Sequence, residues 1–198
     1  MQHKSGVRRP PGRPRSEAAR QAILQSTLKL LRDTGFEGLT MEAVAAEANV
    51  GKATLYRWWP NKAALVVDAF AESANEELRF PDTGSVLEDM ERQMVHVVRI
   101  FLSTRGKIVS CLIGGGQSDP ELISAFRERF LKPRREEAYA TLRRGLDRNE
   151  LRSDADLDLL LDSLYGPIYM RFLIGHLELS IEFVKKLCRA VMRSYLVR

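Results

Sequence analysis

The sequence predicts an all-α protein of about nine helices: a three-helix N-terminal helix-turn-helix domain, then a larger C-terminal helical bundle. Three observations predict it. Apolar residues recur at helical three- and four-residue spacing along most of the chain, and no segment sustains strand alternation. Two short helical segments joined by a tight turn follow a longer first helix, the order of a helix-turn-helix. The excess positive charge is confined to the first third. Residues 1–62 hold 11 Lys/Arg against 5 Asp/Glu, the other 136 hold 20 against 21, and the whole 198-residue chain carries +5.

Residues 1–15 carry five Lys/Arg, no acid, three prolines and two glycines, so they cannot pack a core and are expected to be disordered. Order is expected from Ser16, an N-cap with Glu17 in the first turn. Ala19, Ile23, Leu30 and Leu31 give the first helix its apolar face, and Gly35 ends it at Thr34-Gly35. Thr40 caps a second helix over 41–48, with Val44 and Ala45 turned inward. Asn49 tolerates the left-handed backbone of a tight turn. A third helix covers 51–58 until Pro60 stops it, and Asn61 caps a fourth over 62–78. After a break at 80–84, helices are predicted over 85–102, 106–114, 120–148 (bent at Pro133), 156–175 and 180–197. Gly114–Gly116 reads as an irregular loop rather than a hinge. The predicted domains are therefore a basic arm (1–15), a helix-turn-helix domain (16–62) and a second domain (63–198).

The bulk numbers narrow the function. With 44% hydrophobic and 29% charged residues the chain can bury a core and stay soluble. It has no run of about 18 apolar residues to cross a membrane. No apolar leader opens the chain, so a cytoplasmic protein is expected. Cys111 and Cys188 match no metal or redox spacing and read as reduced, buried small hydrophobes. The sequence has no His-Glu-x-x-His and no Gly-x-Ser-x-Gly. Gly51-Lys52 resembles the end of a phosphate loop, but Ala46 stands at the required first glycine and Ala53 at the required Ser/Thr. No cofactor and no catalytic residue is expected.

The chemistry concentrates in the third helix. Leu55 and Trp59 are four apart and share a core-facing side, while Lys52, Thr54, Arg57 and Trp58 project elsewhere. Lys and Arg donate to guanine or phosphate, Thr meets a phosphate or a thymine methyl, and the Tyr56 hydroxyl suits a phosphate. Thr40 and Lys62 stand at helix N-termini, where amides favour phosphate. The same residues also suit an ordinary solvated helix over a Trp-rich core. In the arm, Arg13 between glycine and proline fits either a minor-groove hook or plain phosphate attraction.

The stretch LTMEAVAAEANVGKATLYRWWPNKAAL (39–65) resembles the DNA-binding signature of the TetR family of repressors. Thr40, Val44, Ala45, Ala48, Val50, Thr54, Leu55, Tyr56, Lys62 and Leu65 fall at that family's spacing, as does the Gly35-Phe36 turn. Asn49 stands where Gly is usual, Gly51 where Ser is common, and Trp58-Trp59 replaces a frequent His-Phe pair. The resemblance implies that Lys52, Thr54, Tyr56, Arg57 and Lys62 contact a double-stranded DNA operator, with Thr40 in support and Trp58 altering the groove contacts. It implies a repressor released from its operator by a small-molecule effector.

The rest of the chain resembles the regulatory domain of one TetR subgroup through Asp119-Pro120-Glu121, Pro133-Arg134-Arg135, Leu151-Arg152 and Gly166-Pro167. Asn149 there replaces a usual glycine, and the triple glycine falls where the family is more often helical. Apolar stripes over 157–173 and 181–195 suit a four-helix bundle made by two copies, and in the family the last two helices do this, so a homodimer through about 156–197 is expected. Methionines and aromatics at Met90, Met94, Phe101, Cys111, Phe126, Tyr165 and Tyr169 are the expected liners of an effector cavity. His96, Gln117, Arg171 and His176 are weaker polar candidates. The rival reading is a ligand-independent or architectural DNA-binding protein, which the basic arm also fits.

Overall fold

The structure is a computed structural model that describes residues 17–197. Ser16, Arg13 and the rest of the arm lie outside the described residues. The helices are α1 (Glu17–Gly38), α2 (Met41–Glu47), α3 (Lys52–Tyr56), α4 (Lys62–Ala74), α5 (Val86–Leu102) and α6 (Thr104–Gly116). They continue with α7 (Pro120–Phe126), a π-helical turn (Arg127–Leu131), α8 (Lys132–Asp147), α9 (Leu157–Ile174) and α10 (Ile181–Met192). Among the described residues there is no strand, only an antiparallel bridge between Leu151 and Leu196 that pins the C-terminus to the α8–α9 loop. No helix among them is long and apolar enough to cross a membrane.

α1 breaks at Gly35, where φ is +70° and ψ is 179°, a combination that is essentially glycine-only. The break turns Phe36 and Leu39 into the core beside Ile23, Leu24 and Leu31. α2 starts on the predicted cap: Thr40 Oγ1 accepts from the Ala43 amide at 3.1 Å. The turn to α3 uses Asn49 at φ +52°, the left-handed residue that the sequence points to. α4 is capped by Asn61 Oδ1 on the Ala64 amide at 2.8 Å. It buries Leu65, Val66, Val67 and Phe70 while packing on α1, α7 and the π turn, and so joins the two domains.

Several expectations need correction. α10 stops at Met192 rather than running to 197, because Leu196 leaves the helix to bridge to Leu151. The triple glycine is helical, forming the end of α6. A Cβ on Gly116 would lie 3.1 Å from the Ile123 side chain, and one on Gly115 would lie 3.3 Å from Leu122. Gly115 and Gly116 therefore serve close α6–α7 packing, not a loop, while a Cβ on Gly114 would meet nothing within 4 Å. The rod over 120–147 is distorted before Pro133 rather than at it. An α-helical register would leave the Arg129 carbonyl facing a proline with no N–H and clashing with its ring. The backbone widens by one residue instead, and Lys132 N–H bonds to the Arg127 carbonyl five residues back.

α5 buries Met90, Met94, Val98 and Phe101, packing on α10, α6, α8 and α9. α8 ends at Asn149, whose φ of +56° is what the family's usual glycine supplies. α9 and α10 turn Leu160, Leu161, Leu164, Ile168, Val184, Cys188 and Met192 inward. Other apolar side chains of α9 stay in solvent: Leu159, Met170, Leu173 and Ile174, with Leu177 just beyond.

Candidate DNA-recognition surface and cavity

The recognition surface follows from how α3 is seated. Leu55 and Trp59 are buried, four residues apart as predicted. That anchoring leaves Lys52, Tyr56 and Arg57 exposed and Thr54 partly so, with Tyr56 at 48% exposure. Thr40, also exposed, stands at the start of α2. Lys52 Nζ lies 3.0 Å from Glu42 on α2, and this ammonium holds the Glu42 carboxyl below its usual range.

Trp58 and Lys62 sit less freely than the sequence suggests. Trp58 is half-buried against the core, its ring centroid 6.0 Å from that of Trp59. Lys62 Nζ donates to the Phe36 carbonyl at 2.9 Å and lies 4.2 Å from that ring's centroid. It ties α4 to the end of α1 instead of standing as a free cation. Residues 17–62 hold six basic and five acidic side chains, so nearly all the N-terminal charge excess lies in residues 1–16.

The C-terminal domain holds a largely apolar cavity of about 80 Å³ between α4, α5, the π turn, α8 and α9. Its wall includes Phe70, Val97, Phe101, Phe130, Leu161, Tyr165 and Tyr169. Of the seven expected liners the structure brings Phe101, Tyr165 and Tyr169 together here. The other four fall elsewhere. Met90 and Met94 are packed in the core away from this wall. Phe126 lies one ring behind it, 5.2 Å from Phe130. Cys111 is exposed on α6, against the expectation that both cysteines are buried. Cys188 is buried, and its burial pushes the thiol up to about 12. Arg171 is spent on the Glu178 carbonyl at 2.6 Å and lies over the Phe183 ring. No cluster of possible metal ligands occurs among the described residues.

Three features escape the sequence reading. Gln93, only 3% exposed, lines the cavity and accepts a hydrogen bond from the Tyr165 hydroxyl. Its signal was legible, as a polar residue between Met90, Met94 and Val97 on the apolar face of α5. Asp68 on α4 uses one oxygen, Oδ2, for two partners. The Trp59 indole Nε1–H donates to it at 2.8 Å, and so does Arg129 NH1 at 2.8 Å. Arg129 in turn sits in the π turn next to Phe130 and Leu131, both on the cavity wall. Nothing in the spacing of residues 59, 68 and 129 announces this junction.

A helix-turn-helix with an outward-facing recognition helix, set on a helical body with an internal apolar cavity, defines a two-domain DNA-binding regulator. Residues 23–69 match the model for bacterial regulatory proteins of the tetR family, and residues 80–191 match the Tetracyclin repressor-like C-terminal domain. The chain belongs to the TetR family of transcriptional regulators, whose members bind DNA operators and dimerise. It is similar to the HTH-type transcriptional regulator YdeS of Bacillus subtilis, at 40% identity over 89% of each chain. It is 30% identical to the DNA-binding transcriptional repressor TetR of Mycobacteroides abscessus, over 81% of this chain and 85% of that one. The crystal structure of the TetR family regulator SCO0332 matches with a TM-score of 0.79 and 34% identity, over 89% of this chain and 98% of that one.

Proposed function

We propose that the protein is a cytoplasmic, dimeric repressor that leaves its operator when a small molecule occupies the α4–α5–α8–α9 cavity. Lys52, Thr54, Tyr56 and Arg57 contact the operator, with Thr40 at the backbone and Trp58 shaping the groove contact. The arm, Arg13 included, adds attraction for phosphate. The dimer forms through the exposed apolar side chains of α9 and the segment after it, packed with α10 of a second copy. Similarity to a chain named as a transcriptional repressor supports repression rather than activation.

The observation that carries the reading is the double use of Asp68. A ligand pressing on Phe130 moves the π turn and with it Arg129, which shares the Asp68 oxygen with Trp59 at the end of the recognition segment. The dimer must hold its two recognition helices about 34–36 Å apart to enter successive major grooves. An effector that binds better to a state with another spacing therefore releases DNA, and one that binds both states equally does nothing.

The test is binding to DNA flanking the protein's own coding region, at fixed salt with competitor DNA. The wild type is compared with a double variant, Tyr56→Ala with Arg57→Ala. A bounded, twofold-symmetric footprint that the variant loses is expected. Salt-sensitive coating of every sequence, equal in both proteins, would leave an architectural role in its place.

A further inference from the structure

We infer that the cavity takes an uncharged, flat, aromatic molecule bearing an oxygen acceptor, such as a ketone, and that the Gln93 amide N–H group recognises that oxygen. This rests on the reading of the cavity as the effector site.

The aromatic preference comes from the wall. Phe70 and Phe130 lie 5.0 Å apart between ring centroids, and Phe101 and Tyr169 meet edge to face at 5.2 Å. Rings so arranged offer both faces and edges to another flat ring. At about 80 Å³ the enclosed space suits a single ring, and anything longer must extend past Leu131, which is exposed at the rim.

The exclusion of charge comes from the polar groups. Two arginines reach this wall, and neither is available. Arg134 pairs with Glu137 at 3.1 Å and hydrogen-bonds Asn75. Arg135 pairs with both Asp158 at 2.6 Å and Asp162 at 2.7 Å. An anion entering here would lose its hydration without gaining an open cation. Burial raises both tyrosine hydroxyls, Tyr169 to about 12, so both remain neutral phenols at neutral pH.

The acceptor requirement comes from Gln93. Its Oε1 is occupied by the Tyr165 hydroxyl, and its Nε2 donors have no hydrogen-bond partner among the described residues. An amide with unused donors on an apolar wall favours the ligand that supplies an acceptor, because a ligand that covers the donor without one leaves it unmet at its full desolvation cost.

Three probes of matched size and planarity separate these claims: acetophenone, α-methylstyrene and benzoate. Their affinities for the full chain are measured by saturation-transfer NMR. Acetophenone is expected to bind at about millimolar Kd, given its size, and about tenfold more tightly than either of the others, as one hydrogen bond predicts. In Gln93→Leu, and in Gln93→Met should the first fold poorly, the ketone's advantage over α-methylstyrene should shrink to about twofold or less while α-methylstyrene itself still binds. Benzoate binding as tightly as acetophenone, a ketone advantage that survives both variants, or no acetophenone binding at about 10 mM would each overturn the inference. Operator affinity measured with and without acetophenone judges the effector reading separately. Binding with Gln93-dependent selectivity but no effect on DNA would uphold the ligand class and defeat the coupling.

Discussion

Asp68 shows how one side chain can matter beyond its own burial. Trp59 is 2% exposed, so its indole N–H has no recourse to water once its acceptor is gone. Asp68→Ala should therefore cost about 1–3 kcal/mol, the penalty of an orphaned buried donor, read by urea unfolding. The chain's two tryptophans are Trp58 and Trp59, so their emission reports directly on this junction. Asp68→Asn keeps an acceptor for the indole and loses only a partly exposed ion pair, so it should stay within about 1 kcal/mol of wild type. Equal stability of Asp68→Ala and wild type would remove Asp68 from its linking role. At this scale the sequence is readable where a residue acts through its neighbours in the chain. Thr40, Asn49 and Asn61 are identified as caps and turn from spacing alone, because capping is a local bond. The hold of Lys62 on α1 is not legible in this way, because its partner, the Phe36 carbonyl, is 26 residues away and is brought to it only by the fold.

The helices divide in the same way. Apolar residues at helical spacing, with caps and breaks at the ends, locate α1 to α5, α9 and α10, because both signals are local to the chain. The π turn has no such period. Pro133 signals a distortion, but whether the rod kinks or widens depends on what Phe130 and Phe126 pack against, namely Phe70 on α4 and each other. Pro133→Ala returns the missing N–H and lets residues 127–131 relax to α-helical register. That rotates the side chains on one side of the turn by about 100° per residue relative to the other. Acetophenone binding should fall at least about fivefold, because Phe130 leaves the wall, while the unfolding midpoint does not drop, a proline in a helix being costlier than alanine by about 3 kcal/mol. Unchanged probe affinity in this variant would mean that the turn does not shape the cavity.

For the whole molecule, the unresolved business of the monomer is its exposed apolar face. Ile174 is 70% exposed, and Met170, Leu173 and Leu177, close to it in the chain, are exposed as well, a concentration of apolar side chains that water does not favour. Ile174→Glu should leave the fold within about 0.5 kcal/mol, as substitutions at exposed positions do. It should also convert the dimer to a monomer in light scattering, with loss of the twofold footprint. A dimer that persists in Ile174→Glu and in Leu173→Asp would place the interface elsewhere. The sequence by itself determined the class of the protein: helical periods, the spacing of Thr40 to Leu65, and a charge excess confined to the N-terminal third are all properties of local pattern and composition. Tertiary structure alone decided which apolar residues became core and which became cavity, since Met90 and Phe101 share one helix face and one alphabet yet meet different neighbours. It also decided that Asp68, Trp59 and Arg129 converge on a single oxygen. Contacts between distant residues depend on how helices cross, and the period of a helix says which face is buried but not what it is buried against.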